Sequence, residues 1–182
     1  MAHPIFTIGH STRAIPDFAR LLTPNEVTLV VDVRTVPRSR FNPQFNADAM
    51  PRALEPFEIA YEHMGALGGL RGRIPGVSPD TNAFWENASF HNYADYAMTP
   101  PFREGLAALV DRAQSHRCAI MCAESVWWRC HRRIITDYLL AAGHDVFHII
   151  ESDVPEPARL TPEAVLVPEG LAYPGPNLGL AL

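Results

Sequence analysis

Ala119-Ile-Met-Cys-Ala-Glu-Ser-Val-Trp-Trp-Arg-Cys-His-Arg-Arg-Ile134 opens as a short apolar run and closes as the start of a helix. Between the two lies a loop that carries a carboxylate, two tryptophans and a second cysteine. An apolar run followed by a helix is the elementary unit of a parallel sheet, in which strands buried on both faces read as nearly continuous hydrophobic segments. In such sheets ligands bind outside the carboxyl ends of the strands, and helix N-termini attract anions. Reactive side chains at this junction therefore point to chemistry or anion binding there.

The same alternation extends outward. Pro4 to His10 is an apolar segment stopped by Gly9, and Ile15, Phe18, Leu21 and Leu22 follow at helical spacing. Val27 to Val33 is β-branched and apolar, the pattern of a central strand. A polar segment from Arg34 to Asn46 leads to a helix expected over Ala47 to Leu54 and a third strand over Ile59 to His63. Leu67 to Phe90 reads as a loop, and helices are expected over Asn92 to Met98 and Phe102 to Ser115, interrupted at Pro100 and Pro101. Cys118 to Cys122 is a strand, Cys130 to Ala142 a helix ended by Gly143, and Val146 to Ile150 a last strand. The expected fold is a single Rossmann-like α/β domain over residues 1–152, with a mostly parallel sheet and helices on both faces. Residues 153–182, rich in Pro and Gly, are expected to form a coil-like tail.

Composition bounds the function. The chain has 182 residues, 47% of them hydrophobic, and a net charge of -5, which argues against electrostatic coating of nucleic acid. All 15 cationic side chains are Arg; residues 1–150 are nearly balanced, and the acidity sits in the last segment. No apolar run is long enough to span a membrane, the start lacks the pattern of a signal peptide, and the three cysteines do not suggest a disulfide framework. A cytoplasmic protein with reduced thiols is expected.

Several ordered motifs share this scaffold: Thr7-Ile-Gly-His-Ser-Thr12, Val31-Asp-Val-Arg34, Pro37-Arg-Ser-Arg40, Phe41-Asn-Pro-Gln-Phe-Asn46, Leu67-Gly-Gly69, Tyr93-Ala-Asp-Tyr96, Met121-Cys-Ala-Glu124 and Cys130-His-Arg132. Together they resemble the domain of unknown function 488 family over roughly residues 5–150. The resemblance implies an α/β domain whose motif residues surround a common site. It implies no particular reaction.

Three chemistries compete for that site. Arg34, Arg38 and Arg40 follow one strand, and Arg129, Arg132 and Arg133 surround a helix start, so their guanidinium forks suit phosphate. The same arginines would equally serve as structural ion pairs with Asp32, Glu124 and Asp137. Cys122 and Cys130 are candidate nucleophiles, the latter favoured as thiolate by the helix start, whereas Cys118 is core material. Six residues separate Cys122 from Arg129, one too many for the loop of tyrosine phosphatases, and Trp127 and Trp128 are too bulky for it. Metal binding by Cys122, Cys130 and His131, with His10, lacks the close cysteine pairs of structural zinc sites.

No cofactor is expected from the sequence, with a metal as an alternative. The expected catalytic residues are Cys122, Glu124 and Cys130; the expected ligand contacts are Gly9, His10, Ser11, Arg34, Arg40, Asn42, His131 and Arg132. Asn42, Gln44 and Asn46 could read amide or base edges, and Tyr61, Tyr93, Tyr96, Trp85 and Trp127 offer stacking faces, though aromatics are also core material. The expected ligand is a phosphate-bearing small molecule or a nucleic-acid end. A non-catalytic nucleic-acid-binding or regulatory module, and a redox or metal-dependent protein using Cys122 and Cys130, are the alternatives.

Overall fold

The computed structural model describes residues 3–176. Five parallel strands, β1 (Ile5–Gly9), β2 (Leu29–Asp32), β3 (Ala60–His63), β4 (Cys118–Cys122) and β5 (Val146–Ile149), form one sheet in the order β3-β2-β4-β1-β5. A two-residue strand, β6 (Glu156–Pro157), extends it antiparallel to β5. The protein is thus a single α/β domain with a mostly parallel sheet, as its alternating apolar segments imply.

Direction along the sheet decides which face each helix covers. From β1 to β2 and on to β3 the chain moves one way, and the connecting helices α1 (Ile15–Leu22) and α2 (Met50–Leu54) pack Phe18, Leu22, Met50 and Leu54 with Phe6, Ile8, Val30 and Met121. From β3 to β4 and on to β5 it moves the other way. There α3 (Ala88–Ala97), α4 (Pro100–Arg112) and α5 (Arg132–Ala141) bury Tyr93, Phe102, Leu109 and Ile134 against Leu29, Val31 and Ile120. Crossovers of one hand require this coupling of direction and face. It leaves one place where neighbouring strands send their chains apart: β2 leaves toward β3 while adjacent β4 leaves toward β5. A crevice opens between their carboxyl ends, the topological switch point of an open α/β sheet.

Several element boundaries differ from expectation for local reasons. Only Met50–Leu54 of the segment 47–54 is α-helical, with turns before it. Helix α3 begins at Ala88, inside the expected loop, because the Asn87 side chain accepts from the Ser89 and Phe90 amides at 2.9 and 3.3 Å and caps it. Pro100 and Pro101 start α4, where missing amide protons cost nothing. Helix α5 starts at Arg132, after a 3₁₀ turn over Trp127–Arg129.

Of the coil expected over residues 153–182, residues 177–182 lie outside the described residues; before them the chain forms β6 and a hairpin of β7 (Val165–Val167) and β8 (Gly170–Ala172). The segment is tied to α5 and to the chain before α3. Asp137 accepts from the Thr161 amide at 2.8 Å and from the Tyr173 hydroxyl at 2.9 Å, and the Tyr173 amide donates to Asn82 Oδ1 at 3.0 Å. Tyr173 is completely buried.

Candidate functional site

The crevice between β2 and β4 holds a cavity of about 290 Å³. Arg34, Thr35 and Val36 form its β2 wall, Gly69, Leu70, Ser89 and Phe90 its roof, and Cys122, Glu124, Arg129, Cys130 and His131 its β4 wall. Cys122 is the last residue of β4, and Cys130 and His131 immediately precede α5. The loop between them therefore folds the two cysteines onto each other. The two sulfurs and a ring nitrogen of His131 all lie within 4.8 Å of one another.

His131 is oriented from both sides. Its Nε2 lies 2.8 Å from the Val33 carbonyl oxygen, which can only accept, so this nitrogen carries the proton. Its Nδ1 then faces the Cys130 sulfur at 3.5 Å. Gly69 lets the ring sit there, because a Cβ at that position would run into Nδ1. Gly68 likewise leaves room for Thr35, and Gly9 for the Glu124–Ser125 backbone.

The thiols differ in protonation. Burial alone would raise the Cys130 pKa, but the S–H that Cys122 donates to it and the Arg132 charge hold it well below the usual thiol range. Cys122 moves the other way, raised first by that same hydrogen bond and then by burial and the negative charge on Cys130. Arg132 completes the arrangement. Fully buried, it donates Nε to the Cys130 sulfur at 3.2 Å and Nη2 to the Glu124 backbone carbonyl. Among the described residues no carboxylate lies within ion-pair distance of it. A buried cation in the first turn of a helix is disfavoured by desolvation and by the helix dipole, and the Cys130 sulfur is its anionic neighbour.

Arg34 is buried too, with a different partner. Its Nε and Nη2 grip Asp32 at 2.9 and 2.6 Å, Nη2 also reaches the Phe45 carbonyl at 2.6 Å, and Nη1 donates to His10 Nε2 at 3.2 Å. Asp32 further accepts from the Tyr61 hydroxyl at 2.6 Å. His10 donates its Nδ1–H to the Ser11 carbonyl at 2.7 Å and is held neutral, its pKa lowered to about 4 by burial, with the Arg34 charge acting in the same direction.

The expected site residues thus divide. Cys122, Glu124, Cys130, His131 and Arg34 meet at the cavity, although the Arg34 fork is taken by Asp32 and the Arg132 fork by sulfur and a backbone carbonyl. The two arginines expected to bind an anion together are instead bound inward, since burial makes an internal partner obligatory. Gly9, His10 and Ser11 lie beneath the crevice and do not line it; Ser11 takes a left-handed backbone at φ 50°. Arg40 is exposed and Asn42 half-buried, both away from the cavity wall, and the Asn46 and Gln44 amides are occupied by Ser39 N and Arg13 O. One face of Trp127 is taken up by His148, stacked at 4.3 Å and 6°. The Tyr93 and Tyr96 hydroxyls bond to the Leu67 and Ala66 carbonyls as packing groups.

Gly69, known from the sequence only as the end of the Leu67-Gly-Gly69 motif, and Arg129, absent from the expected contacts, both line the cavity. The adjacent glycines of Leu67-Gly-Gly69 were the available signal for a close approach, and the place of Arg129 in the loop after β4 was the signal for the second.

The family model described as "Domain of unknown function DUF488" matches residues 14–139, which include every cavity-lining residue. No curated protein and no solved structure matches the chain. Among the described residues no helix is long and apolar enough to cross a membrane.

Proposed function

We propose that this chain, which belongs to the DUF488 family, binds a phosphate-bearing small molecule or a nucleic-acid end in the crevice between β2 and β4. Cys122 and Cys130 would act on the bound ligand, with the Glu124 carboxylate on the same wall to accept a proton. The observation that carries this reading is the charge of the β4 wall. Arg132 is buried behind Cys130 without a carboxylate, and Arg129 stands exposed at the cavity. The Arg132 charge is matched by the Cys130 sulfur, so an anion entering the cavity meets the Arg129 guanidinium in a partly desolvated space, where such attraction is strongest. The thiol and imidazole groups at the same wall are reactive groups within reach of whatever the arginines hold.

Arg129 is the side chain on which to test this, because Arg34 and Arg132 are bound to the protein itself. Titration calorimetry with phosphate, pyrophosphate and mononucleotides is expected to detect binding to the native chain. Arg129→Ala should weaken it roughly ten- to a hundredfold, the loss of one charge-assisted hydrogen bond worth about 1.5–3 kcal/mol. Arg129→Lys should recover part of the loss, since an ammonium keeps the charge without the fork. No binding by the native chain, or equal affinities in all three proteins, would remove the proposal.

A further inference from the structure

We propose that Cys122, Cys130 and His131 are the three protein ligands of a zinc ion whose fourth coordination position opens into the crevice. Thiolate and imidazole donors select a soft or borderline cation such as Zn²⁺ over Mg²⁺ or Ca²⁺. The two sulfurs and the imidazole nitrogen lie within 4.8 Å of one another. Around zinc, with bonds of about 2.3 Å to sulfur and 2.0–2.1 Å to nitrogen, tetrahedral angles put sulfur and nitrogen about 3.5–3.6 Å apart. The Cys130 sulfur and His131 Nδ1 stand at 3.5 Å.

The surroundings have the features of a ligand set. His131 donates its Nε2–H to the Val33 carbonyl, which leaves the Nδ1 lone pair directed at the sulfurs, the usual way a second partner orients a metal-binding histidine. Arg132 donates to the Cys130 sulfur, a bond that a metal-bound thiolate keeps. Seven residues separate the two cysteines, and the histidine follows the second directly. This is a three-ligand pattern, and three protein ligands with one open position are the hallmark of zinc sites that bind water or substrate. Cys122 releases its proton to solvent on binding, and with Cys130 the two thiolates balance the charge of the ion. The adjacent Arg132 then leaves the centre with one positive charge, and an anion, hydroxide or a phosphate oxygen, is the favoured fourth ligand. Only that last step rests on the phosphate reading; the three-ligand site stands without it.

The test uses the full chain, reduced, stripped with a chelator and freed of it. Zn²⁺ alone, titrated in competition with a chromophoric chelator, should bind at one ion per chain. Co²⁺ in its place should give the intense visible bands of a tetrahedral site and a sulfur-to-cobalt charge-transfer band. Cys122→Ser and His131→Ala should each weaken zinc by roughly a hundredfold or more, while Cys118→Ser, altering a thiol within the core, should leave affinity unchanged. Circular dichroism identifies a variant that fails to fold, and the cobalt spectrum of the native chain then decides alone. Absence of one-to-one binding, an octahedral cobalt spectrum, or zinc affinity untouched in both ligand variants would overturn the proposal. Phosphate added to the cobalt protein should shift its visible bands. A tetrahedral cobalt site indifferent to phosphate would keep the metal centre and overturn the phosphate reading.

Discussion

Arg34 and Arg132 flank one crevice and are both buried, but they are held by different kinds of partner. Arg34, after β2, is gripped at two points by the Asp32 carboxylate, which also takes the Tyr61 hydroxyl. Arg132, after β4, has a sulfur and a backbone carbonyl. Each arginine also influences a buried neutral histidine: His10 bonds to Arg34, and the charge of Arg132 adds to burial in lowering His148. Two guanidiniums in similar burial therefore have different consequences. The carboxylate closes the β2 wall into a fixed, neutral support. The sulfur leaves the β4 wall polarised, with groups able to take up a ligand.

The largest expected effect tests the closed wall. Asp32→Ala strands the Arg34 charge in the interior and should cost about 3–5 kcal/mol, read as a lower urea midpoint. A loss below about 1 kcal/mol would mean that Arg34 finds solvent and that the two walls are alike.

Acid tests both walls together. His10 and His148 are lowered to about 4 by burial, while an unfolded histidine titrates near 6.5. Between these values the unfolded chain binds more protons than the folded one. Stability is therefore full above pH 6.5 and falls as pH drops toward 4, by on the order of 3 kcal/mol for each histidine. Urea midpoints measured across this range should fall steeply for the native chain and less steeply for His148→Gln. An unchanged slope would mean that His148 is not held neutral in the fold.

The smallest effect belongs to the polarised wall. Cys130→Ala in metal-free protein removes one hydrogen bond to a charged group and should cost about 1.5–3 kcal/mol, less than Asp32→Ala. If the two losses came out equal, the sulfur would be as firm a counter-ion as the carboxylate, and the contrast between the walls would fail.

What could be read in advance follows from the range of the interactions. The strands were legible because parallel strands buried on both faces show as unbroken apolar runs, as in Leu29–Asp32 and Cys118–Cys122. The meeting of Cys122 with Cys130 and His131 was legible in part, since a strand end and the next helix start must lie on the same edge of the sheet. The inward commitment of Arg34 and Arg132 was not. Composition offers a guanidinium the same chance of solvent or partner, and only the depth of the backbone decides. The strands after Ser152 escaped because they are two or three residues long, with β6 and β7 largely exposed, so neither periodicity nor apolar runs announce them. Their anchors, Asp137 and Asn82, are far away in the chain.

The short β6 also answers a problem that any open sheet carries into a crowded solution. A bare outer strand offers unpaired amides and carbonyls to which the strand of another molecule can add, the first step toward fibrous association. Here β5 is covered by Glu156, Pro157 and the Ala158 amide, which donates to the Val146 carbonyl at 2.9 Å; this is too little backbone to serve as a template in turn, and Pro157 has no amide proton to offer. At the far edge β3 carries Glu62, engaged by Arg112, and an exposed His63. Charge at one border and proline at the other leave the sheet ill-suited to continue into a neighbouring chain.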